Sequence, residues 1–424
     1  MKLASVEIKG FRNIPSVVIA FDKMTVLVSE NSYGKSNVMT SLDFAIDFIS
    51  VPSRLRRNMM AYEGAIPFNA RTANQNFSCE LVFDDDGVIV KYGYEFIWKK
   101  NDESGSRIVK EWLTYKNPSE SQKFTTLINR SERGLYKASL KGRCSSVISV
   151  DKDELIINKL LNMEQLFYND WIRHINEFQV YVERHLDASH YFDIDPLILK
   201  DRDRELSIQS VDNIPRTIFY LKEKYRKKYD LLIDAFVQLF PNIIDIQVKE
   251  FDISKRHSFK VDGDAPYTVS NKVYSLYVLD KNLNQPLDFK WLSDGAKRIF
   301  LMLTYAIVAD ITSIDVIAFE EPENSIHPAL LQNYLDILYQ LSDNANILCA
   351  SHSPYVLQYV NTSNIYIGKP NSEGLALFSK IDEKKVDQLL DDAIENSESV
   401  GNYIFELLSG GEDDVDILLE YLED

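Results

Sequence analysis

Cysteine is scarce in this chain of 424 residues: Cys79, Cys144 and Cys349 lie far apart and form no CxxC pair. That spacing excludes a disulfide framework and a zinc ribbon, and it fits a reducing, cytoplasmic setting. Glycine and proline are sparse too, 15 and 13 residues, too few for a disordered chain. No internal repeat or low-complexity linker is visible. Positive charge is in deficit, with 47 Lys and Arg against 64 Asp and Glu and a formal net charge of -17. The molecule as a whole therefore repels nucleic acid and anionic membranes, and DNA is a partner only through a local basic patch. No long hydrophobic run exists either. The most apolar stretch, Ile299 to Phe319, is cut by Asp310 and Asp315 and reads as a buried helix followed by a buried strand, not as a membrane span. The opening MKLASVEIKGF alternates polar and apolar residues, the pattern of a strand and not of a signal peptide. Nothing in it implies export.

What is present is a globular composition, 45% hydrophobic and 26% charged, on a chain long enough for two or three packed units. Lys2 to Ile8, Ser16 to Phe21 and Met24 to Val28 read as strands. The stretch SENSYGKSN, residues 29 to 37, follows the third of them. It ends in the Gly-Lys-Ser of a phosphate loop, although Ser29 stands where the pattern has its first glycine. A bare Gly-Lys-Ser turns up by chance in on the order of one chain in ten of this length, so context decides. After Ser36, Val38, Leu42, Ile46 and Ile49 fall near helical spacing, and strand, glycine loop, helix is the context that the motif requires.

From Phe77 to Tyr115, aromatic and β-branched runs alternate with turn residues, an antiparallel meander. Residues 151–240 turn helical and charged, and strands resume at 243–248, 257–261 and 273–280. The chain thus divides into 1–150, a helical insertion at 151–240, and 241–424. The two flanking parts are expected to form one α/β domain around the insertion.

Three more segments bear chemistry. In VIAFEEPENSIHP, residues 316–328, Glu320 and Glu321 follow a buried strand directly; carboxylates there are costly unless a cation or water satisfies them. The plain alternative is a solvated acidic turn. In WLSDGAKRIFL, Ser293 and Asp294 open a long apolar helix, either as a simple cap or as a hydroxyl and amides that suit a phosphate. In ILCASHSPYVL, His352 emerges just past a buried strand. A lone histidine is commonly a surface group, but this one closes a strand-helix-strand unit that begins with the carboxylates.

In that order, SENSYGKSN, LSDGAKR, FEEPENSIHP and ASHSPYVL resemble the Walker A, signature, Walker B and switch-histidine motifs of the ABC-type AAA ATPases, the group that includes SMC, RecF and OLD proteins and many phage-defence ATPases. LASVEIKGFRNI and the meander resemble that group as well; the helical insertion does not. The resemblance implies an α/β P-loop NTPase of the ABC head type, with a mixed core sheet, an antiparallel lobe and a helical insertion. It implies ATP and Mg2+ as cofactors. Asn31, Ser32, Gly34, Lys35, Ser36 and Asn37 then bind nucleotide, Lys35 reaching the β- and γ-phosphates and Ser36 ligating magnesium. The first glycine of such a loop serves the turn out of the strand, whereas the second lets the backbone approach phosphate; Ser29 replaces the former and Gly34 keeps the latter. Glu320 stands on the magnesium side where the family has Asp, Glu321 is the water-orienting base, and His352 senses the γ-phosphate. Ser293 and Gly295 close on nucleotide held by a second subunit, which implies a homodimer. Gln75 is a candidate for the glutamine that some relatives place near magnesium.

The expected function is an ATPase whose dimerisation controls a separate effector, a nuclease or toxin, in anti-phage defence. The insertion is too short for long coiled-coil arms, and too little chain follows His352 for the nuclease domain that OLD proteins append. The rivals are a RecF-like repair ATPase that clamps DNA itself, and a binding module that holds ATP structurally. The basic runs LKEKYRKKYD (221–230) and SRLRRN (53–58) read as solvated helix faces or nucleic-acid contacts. HLDASHYFDID (185–195) reads as a polar loop without metal-ligand spacing. Near the C-terminus, YIFELLSGGEDDVDILLEYL superficially resembles the start of a TOPRIM fold. Val415, Leu418, Leu419 and Leu422 share one helical face, which docks either on a partner or on this chain's own core.

Overall fold

The computed structural model describes the chain apart from residues 62–67, 100–104, 106, 120, 184–189, 200–212, 255–266, 343–344, 370 and 424. It forms two compact units, Met1–Val182 with Leu348–Asp424, and Glu183–Ile347. These cuts differ from the sequence divisions at 150 and 240. The helices Ile156–Leu160 and Asn169–Glu177 pack in the first unit, whereas Ile214–Lys224 and Arg226–Leu239 belong to the second. The expected strand at 257–261 and the first residues of the 185–195 loop lie outside the described residues.

The first unit is built on an eight-stranded sheet in the order Ile14–Ala20, Lys2–Phe11, Phe77–Asp85, Val88–Ile97, Arg107–Lys116, Thr125–Arg130, Gly134–Tyr136 and Ser146–Ile148. Every neighbouring pair is antiparallel. Alternation puts Phe77, Cys79, Leu81 and Phe83 on one buried face, with Val90, Tyr92, Tyr94 and Phe96 beside them, as a period of two requires. The helix Lys35–Ser50 lies on this face. Phe48 stacks on Tyr94 and Phe96 at 4.8 Å, and the Tyr94 hydroxyl donates to the Ala45 carbonyl at 2.7 Å. The strand Met24–Val28, buried throughout, sits between the strand ending at Ser351 and the parallel strand Ile365–Gly368. Both ends of the sequence thus feed one layer.

Two buried charges tie the segment after the meander to this lobe. Arg56, in the helix Ser53–Met59, is 1% exposed. Its guanidinium donates to the carbonyls of Phe48, Ile49 and Val51, where the helix Lys35–Ser50 ends, and to Asp153 O and Asn158 Oδ1. A cation at a helix C-terminus satisfies carbonyls left without helical partners. At this position, then, the run SRLRRN is neither a solvated face nor a nucleic-acid contact. Glu111 is wholly buried and accepts from the amides of Ile156 and Ile157 at 2.6 and 2.9 Å.

The C-terminal helices Val386–Glu395, Val400–Ser409 and Glu412–Glu420 complete the first unit. Leu418, Tyr421 and Leu422 are buried. Backbone bonds join Asp382 N to Tyr421 O and Glu423 N to Lys380 O, both at 2.9 Å. The last helix therefore caps this chain's own core. Gly410 and Gly411 lead straight into it, with the Gly411 amide bound to Asp414 at 3.0 Å. The helix Val400–Ser409 packs backbone to backbone on Pro354–Tyr359: a Cβ added at Gly401 would lie 2.0 Å from the Pro354 carbonyl oxygen.

In the second unit, the antiparallel strands Ile243–Asp252, Lys272–Asp280 and Leu287–Asp288 accompany the helices Ile214–Lys224 and Arg226–Leu239. The helix Asp294–Thr312 is buried on nearly all sides from Ala296 to Ala309. It packs through Phe300, whose ring lies 5.0 Å from Phe236 and 4.7 Å from Phe289. It leads into the strand Val316–Glu320 and the helix Pro328–Leu341. Among the described residues, no helix is long and apolar enough to cross a membrane.

Burial pushes the Glu111 carboxyl up from 4.5 to about 6, against the opposing pull of its two amide donors. The folded protein then binds the proton more tightly than the unfolded chain, so the contribution of this group to stability falls as pH rises through that window. The full loss is about 2 kcal/mol from well below pH 4.5 to well above pH 6, of which about 1.3 kcal/mol falls between pH 4.5 and pH 6. Urea unfolding at both ends of the window should show this component in the wild type and lose it in Glu111→Gln. An equal pH difference in the two proteins would refute it.

Candidate nucleotide site

The phosphate-loop segment leaves the buried strand Met24–Val28 and enters the helix Lys35–Ser50 at Gly34. No side chain caps that helix, so its first-turn amides are left to the loop and to whatever anion the loop holds. Gly34 has φ 120°, and a Cβ there would meet the Ala376 methyl at 2.6 Å. Conformation and space both demand glycine. Ser32 also has a positive φ, 64°, a strain that a serine tolerates only where its surroundings impose it.

Lys35 is 6% exposed. Its ammonium donates to the Ser29 carbonyl at 2.8 Å, the Ser29 hydroxyl at 3.2 Å and the Glu30 carbonyl at 3.1 Å. Ser29 thus supplies the lysine with a hydroxyl that the pattern's usual glycine lacks. The ammonium also lies 3.2 Å from His352 Nδ1. An ammonium only donates, so Nδ1 accepts and the imidazole proton sits on Nε2. Two residues separated by 317 positions are brought together here.

Asn31, Ser32 and Ser36 are exposed along the loop and the first helical turn. Asn37 is bound elsewhere. Its Oδ1 accepts from Arg12 at 2.7 Å and its Nδ2 donates to Asn13 Oδ1 at 2.8 Å. Asn13 in turn donates to the Gly374 carbonyl at 3.1 Å. The hairpin turn at Arg12 and Asn13 therefore anchors the loop from outside, and the side chain of Asn37 is a brace. GFRN, residues 10–13, follows the alternating opening strand, and nothing in its spacing pointed to Asn37. Gln75 lies exposed in the turn before Phe77.

In the second unit, Val316–Phe319 are fully buried and Glu320 is half-buried at the strand end. Glu321 adopts φ 48°, and its carboxylate accepts from the Asn324 amide. Arg298 braces the pair through the backbone, donating from Nη2 to the Glu320 carbonyl at 3.1 Å and the Glu321 carbonyl at 2.6 Å. Arg298 stands one helical turn beyond Gly295 on the helix Asp294–Thr312. A charged residue in so apolar a helix was the sequence signal for it. Ser293 Oγ accepts from the Ala296 amide at 3.3 Å, so it caps the helix while keeping its own proton to donate. A Cβ on Gly295 would meet the Ser325 carbonyl at 2.2 Å, which packs the signature turn against the turn after the carboxylates.

Among the described residues, no three His, Cys, Asp or Glu side chains gather into a metal cage. Magnesium is commonly held otherwise, by one or two carboxylates together with hydroxyl, water and phosphate oxygens.

A family model described as "AAA domain, putative AbiEii toxin, Type IV TA system" matches residues 24–358, a span that includes all four motifs. The chain belongs to this family. The AAA domain accordingly has the P-loop NTPase fold of the ABC type, in a mixed parallel and antiparallel setting. No curated protein sequence matches the chain. Solved structures that resemble it include an SMC head bound to the C-terminal winged-helix domain of ScpA, with 13% identity, TM-score 0.49, and 92% of this chain and 100% of that one covered. The SMC head domain from Thermotoga maritima is similar at 12% identity and TM-score 0.43, covering 90% and 100%. An Smc head with an extended coiled coil, bound to the C-terminal domain of ScpA derived from Pyrococcus furiosus, is similar at 12% identity and TM-score 0.47, covering 93% and 99%.

Replacing Arg298 by methionine removes a charged donor from two carbonyls at once. A hydrogen bond from a charged group contributes about 1.5–3 kcal/mol, so unfolding in urea should show a loss of at least about 2 kcal/mol. Arg298→Lys should recover under half of it, because an ammonium lacks the planar fork. Unchanged stability in Arg298→Met would mean that the brace carries no energy.

Proposed function

We propose that this AAA protein binds and hydrolyses ATP with Mg2+, dimerises through composite nucleotide sites, and thereby controls a separate effector in anti-phage defence. The observation that carries the nucleotide reading is the Lys35–His352 contact at 3.2 Å beside an uncapped helix N-terminus. A buried ammonium, a neutral imidazole with its proton on Nε2, and the first amides of a helix form a receptor for a triphosphate. Lys35 holds the β- and γ-phosphate oxygens, and His352 donates to the γ-phosphate. Ser36 and Glu320 hold magnesium, which when bound supplies Lewis-acid charge to the phosphoryl oxygens. Glu321, oriented by Asn324, takes the proton of the attacking water. Ser293 and the amides after it receive phosphate held by the second subunit. The family's description, which names a putative toxin of a type IV toxin-antitoxin system, supports the defence setting.

The rival reading, a head that clamps DNA, depends on basic groups outside the site. In the run 221–230, Arg226 pairs with Asp230 at 2.9 Å and Lys228 with Asp310 at 2.5 Å, which lowers the charge left for phosphates.

Lys35→Ala should lose most ATP binding by calorimetry, whereas Glu321→Gln should bind ATP and fall at least about a hundredfold in turnover. Turnover at the wild-type rate in Glu321→Gln would put the base elsewhere. Mixing Lys35→Ala with Ser293→Arg chains should restore some activity, since one composite site in the mixed dimer keeps both intact halves. No recovery despite proven subunit exchange would argue against sites shared between subunits. Phage plating on cells carrying this gene with its neighbours should show protection that Lys35→Ala abolishes; protection indifferent to that change would refute ATP-driven control.

A further inference from the structure

The helix Val386–Glu395 carries Val386, Leu389, Leu390, Ala393 and Ile394 on one apolar face, at the i, i+3, i+4, i+7, i+8 spacing of a helix built to dock. The protein's own core uses only part of it. Leu389 and Ala393 are buried, whereas Leu390 is 37% and Ile394 70% exposed. Asp387 and Asp391 stand one turn ahead of these two residues, and Glu395 follows them. Between Ile381 and Asp424 there are fifteen Asp and Glu against two Lys, so this tenth of the chain carries -13 of the total charge of -17.

Charge selects the occupant. Nucleic acid and anionic lipid are repelled from such a surface, and a second copy presenting the same face would set carboxylates against carboxylates. We propose that the exposed half of the Val386–Glu395 face is a docking site for a cationic amphipathic helix of another protein. The apolar stripe of that helix covers Leu390 and Ile394, and its flanking Lys and Arg pair with Asp387, Asp391 and Glu395. Desolvating Ile394 supplies the affinity and the carboxylates supply orientation and choice of partner. The site uses none of the nucleotide-binding residues and stands whether or not the protein hydrolyses ATP.

The test uses the full chain and a fluorescein-labelled amphipathic Leu/Lys peptide of about 18 residues, five helical turns. Its controls are the same composition scrambled to break the stripe and a Leu/Glu peptide of the same pattern. Anisotropy titrations should show the amphipathic cationic peptide binding at least about tenfold tighter than the scramble, with no binding of the acidic one. Leu390→Ser with Ile394→Ser should lose that advantage while melting temperature and ATP affinity hold, since both side chains are exposed. Asp387→Asn with Asp391→Asn and Glu395→Gln should weaken binding and flatten its salt dependence. Val147→Ser, which alters a residue 67% exposed on a strand of the same unit, should change nothing. Equal binding of the scramble, or full binding by the double serine variant, would overturn the proposal. So would concentration-dependent self-association of the wild type that the double variant abolishes, since the occupant would then be a second copy.

Discussion

Around Lys35 the structure solves one problem, how to keep an ammonium ion out of water without a large penalty. Carbonyl oxygens of Ser29 and Glu30, one hydroxyl and one imidazole nitrogen converge on it. That shell draws on the end of one strand, the start of one helix and the residue that follows another strand. Each must be in place for the charge to be tolerated. The helix is in turn fixed from below by stacked Phe48, Tyr94 and Phe96 and from its far end by Arg56. A lysine that is easily accommodated only in one arrangement of loop and helix holds that arrangement in place.

The carboxylate end of the second unit follows a different rule. Arg298 positions Glu320 and Glu321 through their backbone carbonyls. Bound to these two carbonyls, the guanidinium fixes the turn in which the carboxylates stand. The positive φ of Glu321 is the strain that this brace maintains.

Much of this was legible in the sequence. The strand Met24–Val28 was read to the residue, and the apolar spacing of residues 38 to 49 was enough to announce the helix, because one face of it is buried on aromatic side chains. The approach of His352 to the loop was implied only by resemblance, since pairing between remote strands leaves no local pattern. Arg56 was misread for a related reason: a run of arginines looks solvated until the carbonyls that surround one of them are known. The divisions at 150 and 240 were drawn where composition changes, but compact units follow contacts, and Glu111 draws the residues after 151 onto the antiparallel lobe through two backbone amides. Asn37 was expected among the nucleotide-binding residues; its bonds to Arg12 and Asn13 join remote segments and could not be foreseen from spacing.

The absence of a side chain at Gly401 leaves two backbones in contact, with no flexible layer between Val400–Ser409 and the segment that starts two residues after His352. Side chains can absorb a small displacement by changing rotamer; apposed main chains pass it on. A push of an ångström on the C-terminal helices is therefore felt at Pro354. If ligands bind both at those helices and at the histidine, thermodynamic reciprocity fixes the rest: whatever factor the first applies to the second, the second must return in equal measure.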